Sequence, residues 1–181
     1  MITPLQQYIV TRAQAYLGKT EITGNAGFHD PVFEQRMRAI GWTPPEPWCA
    51  ALLKLIYLES ITALDPSAIH LIHQYFSLSA GETYHNCAES PEYHVTQTPD
   101  IGYAVIWLEG SGPSGHAGIV TGLIPGGFTS IEGNTTDPAH LIPGMSPREG
   151  YIVAQHTHML GNPYNPASLN IKGFVSPNRI A

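Results

Sequence analysis

Ala50-Ala51-Leu52-Leu53-Lys54-Leu55-Ile56-Tyr57-Leu58 leaves almost no polar stripe when wound into a helix. A helix that is apolar nearly all round has to be enclosed by other elements. The chain must therefore wrap the segment from residue 48 to about residue 60. Pro44-Pro45-Glu46-Pro47 stands directly before it and marks a turn rather than helix. Trp48-Cys49 follows, so the cysteine falls in the first helical turn. Backbone N–H groups are unpaired there, and the positive end of the helix dipole favours an anion. The thiolate is the reactive form of cysteine, and such positions lower a thiol's pKa. Cys49 is thus a candidate nucleophile; its plain alternative is a small buried hydrophobe.

The enclosing elements come in two blocks. Thr3 and Gln6 can form a capping box with Pro4 at the first helical position. Leu5, Tyr8, Ile9, Ala13, Tyr16 and Leu17 then recur at helical spacing up to Gly18. A glycine-rich loop, Glu21-Ile22-Thr23-Gly24-Asn25-Ala26-Gly27, leads to a second helix capped by Asp30 and started by Pro31. Asp65-Pro66 opens a helix that the pattern carries to about Gly81, and residues 82–99 read as a long loop. From Gly102 the period changes. Strands are predicted over 103–108, 116–123, 128–132, 151–156 and 171–175, with turns at 109–115 and at Pro125-Gly126-Gly127. Helices followed by an antiparallel sheet indicate one α+β domain over residues 1–181.

Composition excludes several classes. The net charge is −6 with eight Lys and Arg, and no basic run appears, so nucleic acid is not an expected partner. No apolar run is long enough to insert in a membrane. Residues 1–7 lack the features of a signal peptide, which leaves localisation open between an intracellular protein, one exported by another route, and one whose leader precedes residue 1. The two cysteines, Cys49 and Cys87, do not make a disulfide framework.

A nucleophilic cysteine needs an imidazole to move protons and a polar group to orient that imidazole. Gly115-His116-Ala117-Gly118-Ile119-Val120 and Ile131-Glu132-Gly133-Asn134-Thr135 supply both. Adjacent antiparallel strands can set His116 and Glu132 on one face. Asn134 is a second candidate orienter, because its amide oxygen can accept the imidazole N–H. The glycines around His116 would let a substrate backbone come close, with Gly115 and Trp48 as candidate substrate contacts; Trp48 fits a core position equally well.

The order helix-borne Cys, Gly-His-x-Gly-Ile-Val, Ile-Glu-Gly-Asn-Thr resembles the CHAP family of cysteine, histidine-dependent amidohydrolases/peptidases, papain-like cell-wall hydrolases related to the NlpC group. Ala15-Tyr16-Leu17-Gly18 with Glu21 and Gly24-Asn25-Ala26-Gly27 resembles the opening of one bacterial and phage subgroup, and Ile171-Lys172-Gly173-Phe174 its closing strand. Tyr103 stands where the family usually has Asp. The resemblance implies a papain-like fold, with Cys49 as nucleophile, His116 as general base and acid, Glu132 as orienter and Asn134 as a further polar member. It implies a peptidoglycan peptide as substrate, cleavage of an amide bond through a thioester, and no metal or other cofactor. An inhibitor or immunity protein would be a further partner. The stretches 82–98 and 161–168 are not family signatures and are expected to shape substrate choice.

Two other functions use the same residues differently. One is a non-catalytic module on this fold that binds wall peptides or a protein. The other is a zinc hydrolase built on His156 and His158, which alternate onto one strand face; it lacks a His-Glu-x-x-His motif.

Overall fold

A computed structural model describes residues 2–110, 114–137 and 150–177. The first helix, α1 (Pro4–Ala15), begins with the expected capping box between Thr3 and Gln6. Gln6 is also buried, and its Nε2 donates to the Ile101 carbonyl at 2.8 Å. One side chain therefore caps the helix and ties it to the turn that enters the sheet. Two short strands, β1 (Glu21–Ile22) and β2 (Gly27–Phe28), make a hairpin of the glycine-rich loop. Helix α2 (Pro31–Ala39) follows, with the Asp30 carboxylate accepting from the Val32 and Phe33 N–H groups.

Helix α3 (Cys49–Leu64) is the enclosed one. Ala50, Ala51, Leu52, Leu53, Leu55, Ile56 and Tyr57 are all buried, with α1 on one side and the sheet on another. It runs further than the sequence pattern indicates, to Leu64. Ser60, a polar residue within the core, is satisfied by donating to the Ile56 carbonyl at 2.7 Å.

The next stretch differs from expectation. After a short 3-10 turn at Pro66–Ala68, helix α4 spans only Ile69–Tyr75. A further helix, α5 (Ala80–Ala88), occupies much of the predicted loop, and strand β3 (Val95–Thr96) follows it. Gly81 lies inside α5 rather than ending its predecessor. The signal was a local one: Ser79 and Glu82 have capping-box spacing, and the Ser79 hydroxyl accepts from the Glu82 N–H. Ala80, Thr83 and Cys87 then form its buried face.

Strands β4 (Ala104–Glu109), β5 (Gly115–Ile124), β6 (Gly127–Thr135), β7 (Ile152–Met159) and β8 (Leu169–Val175) complete a six-stranded antiparallel sheet. Its order is β3-β8-β4-β5-β6-β7, so the last strand inserts between β3 and β4. The hairpin at Pro125-Gly126 joins β5 to β6 as expected. The predicted turn at 109–115 falls partly on residues 111–113, outside the described residues. The molecule is α+β, with its helices on one face of the sheet.

Side chains alternate between two environments. Ala104, Ile106, Ala117, Ile119, Ile131 and Val153 face the helices and join the main core. Val105, Trp107, Val120, Phe128 and Phe174 form a smaller cluster on the opposite face. Both cysteines are free. Among the described residues no helix is long and apolar enough to cross a membrane.

The first turn of α3 sits on β6 at Gly133. A Cβ there would lie 2.6 Å from the Trp48 ring and 2.7 Å from Leu52. Gly133→Ala is expected to overpack this contact and destabilise the fold by about 1–3 kcal/mol. Urea denaturation followed by circular dichroism measures it; an unchanged midpoint would mean that the helix does not need this close approach.

Candidate active site

Cys49 is the first residue of α3, and no side chain caps that helix start. The Ala50 N–H of this uncapped turn is one of the groups that favour the thiolate. Trp48 holds this turn in place. It is fully buried, edge-on to Phe28 with ring centroids 5.0 Å apart, and its Nε1 donates to the Glu21 carboxylate at 2.6 Å. Trp48 is thus a core residue, not the substrate contact suggested from sequence. Glu21, which had no assigned role, anchors the nucleophile's neighbour and also accepts from the Asn25 N–H at 3.2 Å.

His116 is the second residue of β5, beside the start of α3. Its Nε2 lies 2.8 Å from Glu132 Oε2, which leaves Nδ1 for the Cys49 sulfur. The register explains the reach. Gly118, not His116, pairs directly with Glu132, so the carboxylate meets the imidazole on the diagonal. A Cβ on Gly118 would lie 2.6 Å from Glu132 Cγ. Gly118 therefore makes room for the Glu132 side chain, whereas the sequence suggested that it admits substrate backbone. Gly115 does line the cleft.

The electrostatics favour a thiolate–imidazolium pair. Burial raises the Cys49 pKa, but the His116 charge and hydrogen bond, with the Ala117 and Ala50 N–H groups, outweigh it and hold the thiol below its ordinary value. Burial alone would lower the His116 pKa. The Cys49 charge, and Glu132 after it, push it up to about 10. Burial also opposes the Glu132 charge, yet hydrogen bonds from His116 and His158 keep its carboxyl well below the usual range. Cys87 is the contrast: it is buried with no compensating charge, and its pKa is pushed up to about 12.

Of the two candidate orienters, Glu132 makes the contact with His116. Asn134 lies nearby at the cleft wall in a left-handed conformation, φ 51°, and its Oδ1 is buried without a hydrogen-bond partner among the described residues. The cleft has a volume of about 680 Å³, and Cys49, His116 and Glu132 open into it with Trp107, His156 and His158. Ala167 and Ser168 from the 161–168 stretch line it too, so that segment shapes the cleft. From 82–98, only Gln97 approaches, in an adjoining hollow of about 790 Å³.

Sequence reading missed Trp107, Ser130 and His158 as neighbours of the site. Trp107 is the cross-strand partner of His116, with ring centroids 5.5 Å apart. Ser130 lies two residues before Glu132, on the same strand face, and donates to its Oε1. His158 Nε2 lies 2.7 Å from that same oxygen. The two histidines of the alternative zinc reading stack with ring centroids 6.1 Å apart, but His156 Nε2 faces the Thr135 hydroxyl at 3.0 Å while His158 Nε2 faces Glu132. Among the described residues no group of three or more His, Cys, Asp and Glu side chains is placed to hold a metal ion. Compared with protein-family models, curated proteins and solved structures, the chain matches none.

The pair titrates as a unit, and alkylation by iodoacetamide reads its thiolate. The rate should rise with pH through a midpoint below that of an ordinary thiol. In His116→Ala the imidazolium is gone and burial raises the thiol, so the midpoint should move upward to or beyond the ordinary value. Identical profiles in parent and variant would disprove the pairing. Gly118→Ala, at a position that does not itself line the cleft, crowds Glu132 and should shift the profile in the same direction.

Proposed function

We propose that this chain is a cysteine hydrolase of papain-like architecture that cleaves an amide bond in the peptide part of peptidoglycan. The observation that carries the chemistry is the placement of Cys49 at an uncapped helix N-terminus beside His116, which is in turn held by a buried Glu132. The substrate class comes from the resemblance of the three sequence islands to the CHAP family. The cleft is consistent with a peptide: it is open, part polar and part aromatic, and it exceeds the space needed for the reacting groups.

The reaction follows from the protonation states. The Cys49 thiolate attacks the amide carbonyl carbon and forms a C–S bond, while the carbonyl π electrons move to oxygen. Backbone N–H groups at the start of α3 stabilise the resulting oxyanion. As the tetrahedral intermediate collapses, His116 gives its Nδ1 proton to the departing amine, and a thioester remains on Cys49. Water then attacks the thioester, with His116 taking its proton. Collapse releases the carboxylic acid and restores the thiolate and imidazolium. Glu132 stays ionised throughout. It holds the Nε2–H of His116 and so presents Nδ1 to the sulfur.

Defined muropeptides with mass analysis of the products test this. Cys49→Ala and His116→Ala should each abolish cleavage with the fold intact, and chelators should leave the parent's activity unchanged. Full activity in either variant removes the mechanism. Chelator-sensitive cleavage that survives Cys49→Ala would select the zinc reading in its place. Glu132→Gln should lower kcat by about two orders of magnitude or more, as the imidazole loses its orienting charge. In the parent, kcat/KM should rise with pH as the thiolate–imidazolium pair forms and fall near pH 10, where His116 loses its proton.

A further inference from the structure

Glu132 makes more contacts than the orientation of His116 requires. Its Oε2 serves His116 alone among the described residues, at 2.8 Å. Its Oε1 receives the Ser130 hydroxyl and also faces His158 Nε2 at 2.7 Å. An ionised carboxylate only accepts, so His158 must carry its proton on Nε2. His158 comes from β7, one strand beyond Glu132, and pairs in register with Phe128. Its ring packs against both Trp107 and Phe128, with centroids 5.0 and 5.3 Å away, and beside the His156 ring at 6.1 Å. The Trp107 and Phe128 rings hold the imidazole, and the imidazole holds the carboxylate.

We propose that His158 is a positioning residue for the Cys49–His116 pair: by donating to Glu132 Oε1 it keeps the carboxylate turned so that Oε2 faces His116. The terminal torsion of a Glu side chain is broad and has no sharp staggered wells. Ser130, only two residues away on the same strand, holds Oε1 from one direction. His158 holds it from the neighbouring strand, and the two donors together define the carboxylate plane. A fixed Oε2 keeps the His116 proton on Nε2 and its Nδ1 toward the sulfur. This role rests on the reading of Cys49 and His116 as a working pair, and it holds for any substrate.

A crossed pair of variants separates the hydrogen bond from the packing. His158→Phe keeps a ring against Trp107 and Phe128 and loses the donor. His158→Gln loses the ring and keeps an N–H donor. The readout is iodoacetamide alkylation of Cys49 against pH, with Cys87 replaced by Ala in every protein and folding checked by circular dichroism. On the rising limb of the profile the Phe variant should react about threefold or more slowly than the parent at the same pH, as its thiolate-forming limb moves up by roughly half a pH unit. The Gln variant should stay within about twofold. Above about pH 9.5 all rates should converge, because the thiolate is then fully formed in every variant that keeps His116. If His158→Phe does not fold, His158→Asn, whose amide is too short to span the gap, takes its place with the same expected slowing. The proposal is overturned by a parent-like profile in the donor-free variant, by equal slowing in the Phe and Gln variants, or by slowing that persists at high pH. The readout needs no wall substrate. Failure to cleave muropeptides would therefore count against the proposed hydrolase and leave the result on His158 standing.

Discussion

Everything at the site depends on how closely the first turn of α3 approaches strand β6. Trp48 sits over Gly133, where any side chain would collide with its ring. The same indole is held from the far side by Phe28 and by the Glu21 carboxylate. Helix position is thereby set by hard contact on one side and by a buried hydrogen bond on the other. Cys49 is the next residue along, so its distance from β5 is inherited from the packing of Trp48. Close-packed interiors transmit such constraints with little slack.

The second constraint is charge. Glu132 is an ionised carboxylate in a nearly dry place, and an isolated buried charge is very costly. It is tolerated because donors converge on both oxygens: His116 on one, Ser130 and His158 on the other. His116 in turn lies between two anions, Cys49 and Glu132, which is why its imidazolium persists despite burial. No member of this chain of charges is stable alone. Removing one partner leaves another buried and unpaired, which is the expensive outcome for such networks. The glycines of the two strand motifs serve this arrangement sterically: Gly118 clears a path for Glu132, and Gly133 admits the helix.

Much of the architecture was legible in the sequence. Helix α1 was marked by Thr3 and Gln6, α2 by Asp30 and Pro31, and α3 by its all-round apolarity; the strand segments were marked by short apolar runs between turn residues. These signals are local, written in caps, turns and periodicity. The region after Tyr75 departs from the sequence pattern because Gly81, a stop signal when read locally, lies in the first turn of α5. Its capping pair, Ser79 and Glu82, was present but outweighed by the glycine. Trp48 was ambiguous for a different reason: a tryptophan beside a nucleophile can line a cleft or fill a core, and only the positions of Phe28, Phe33 and Glu21 separate the two. His156 and His158 share a strand face as their alternation indicates, yet they turn to different partners.

The sequence by itself determined the kinds of elements, their order, and the chemical types present: a thiol at a helix start, an imidazole at a strand start, and a carboxylate on a following strand. Those properties depend on neighbours within a few residues. The tertiary structure alone decided which groups meet. Pairing of β5 with β6 placed Glu132 diagonally from His116 and left the Asn134 amide oxygen without a hydrogen bond to the imidazole. Pairing of β6 with β7 brought His158 to the same carboxylate. Insertion of β8 beside β4 set Trp107 in place on the cleft wall. Contacts across strands depend on register and sheet order, which long-range packing selects and which no local pattern encodes.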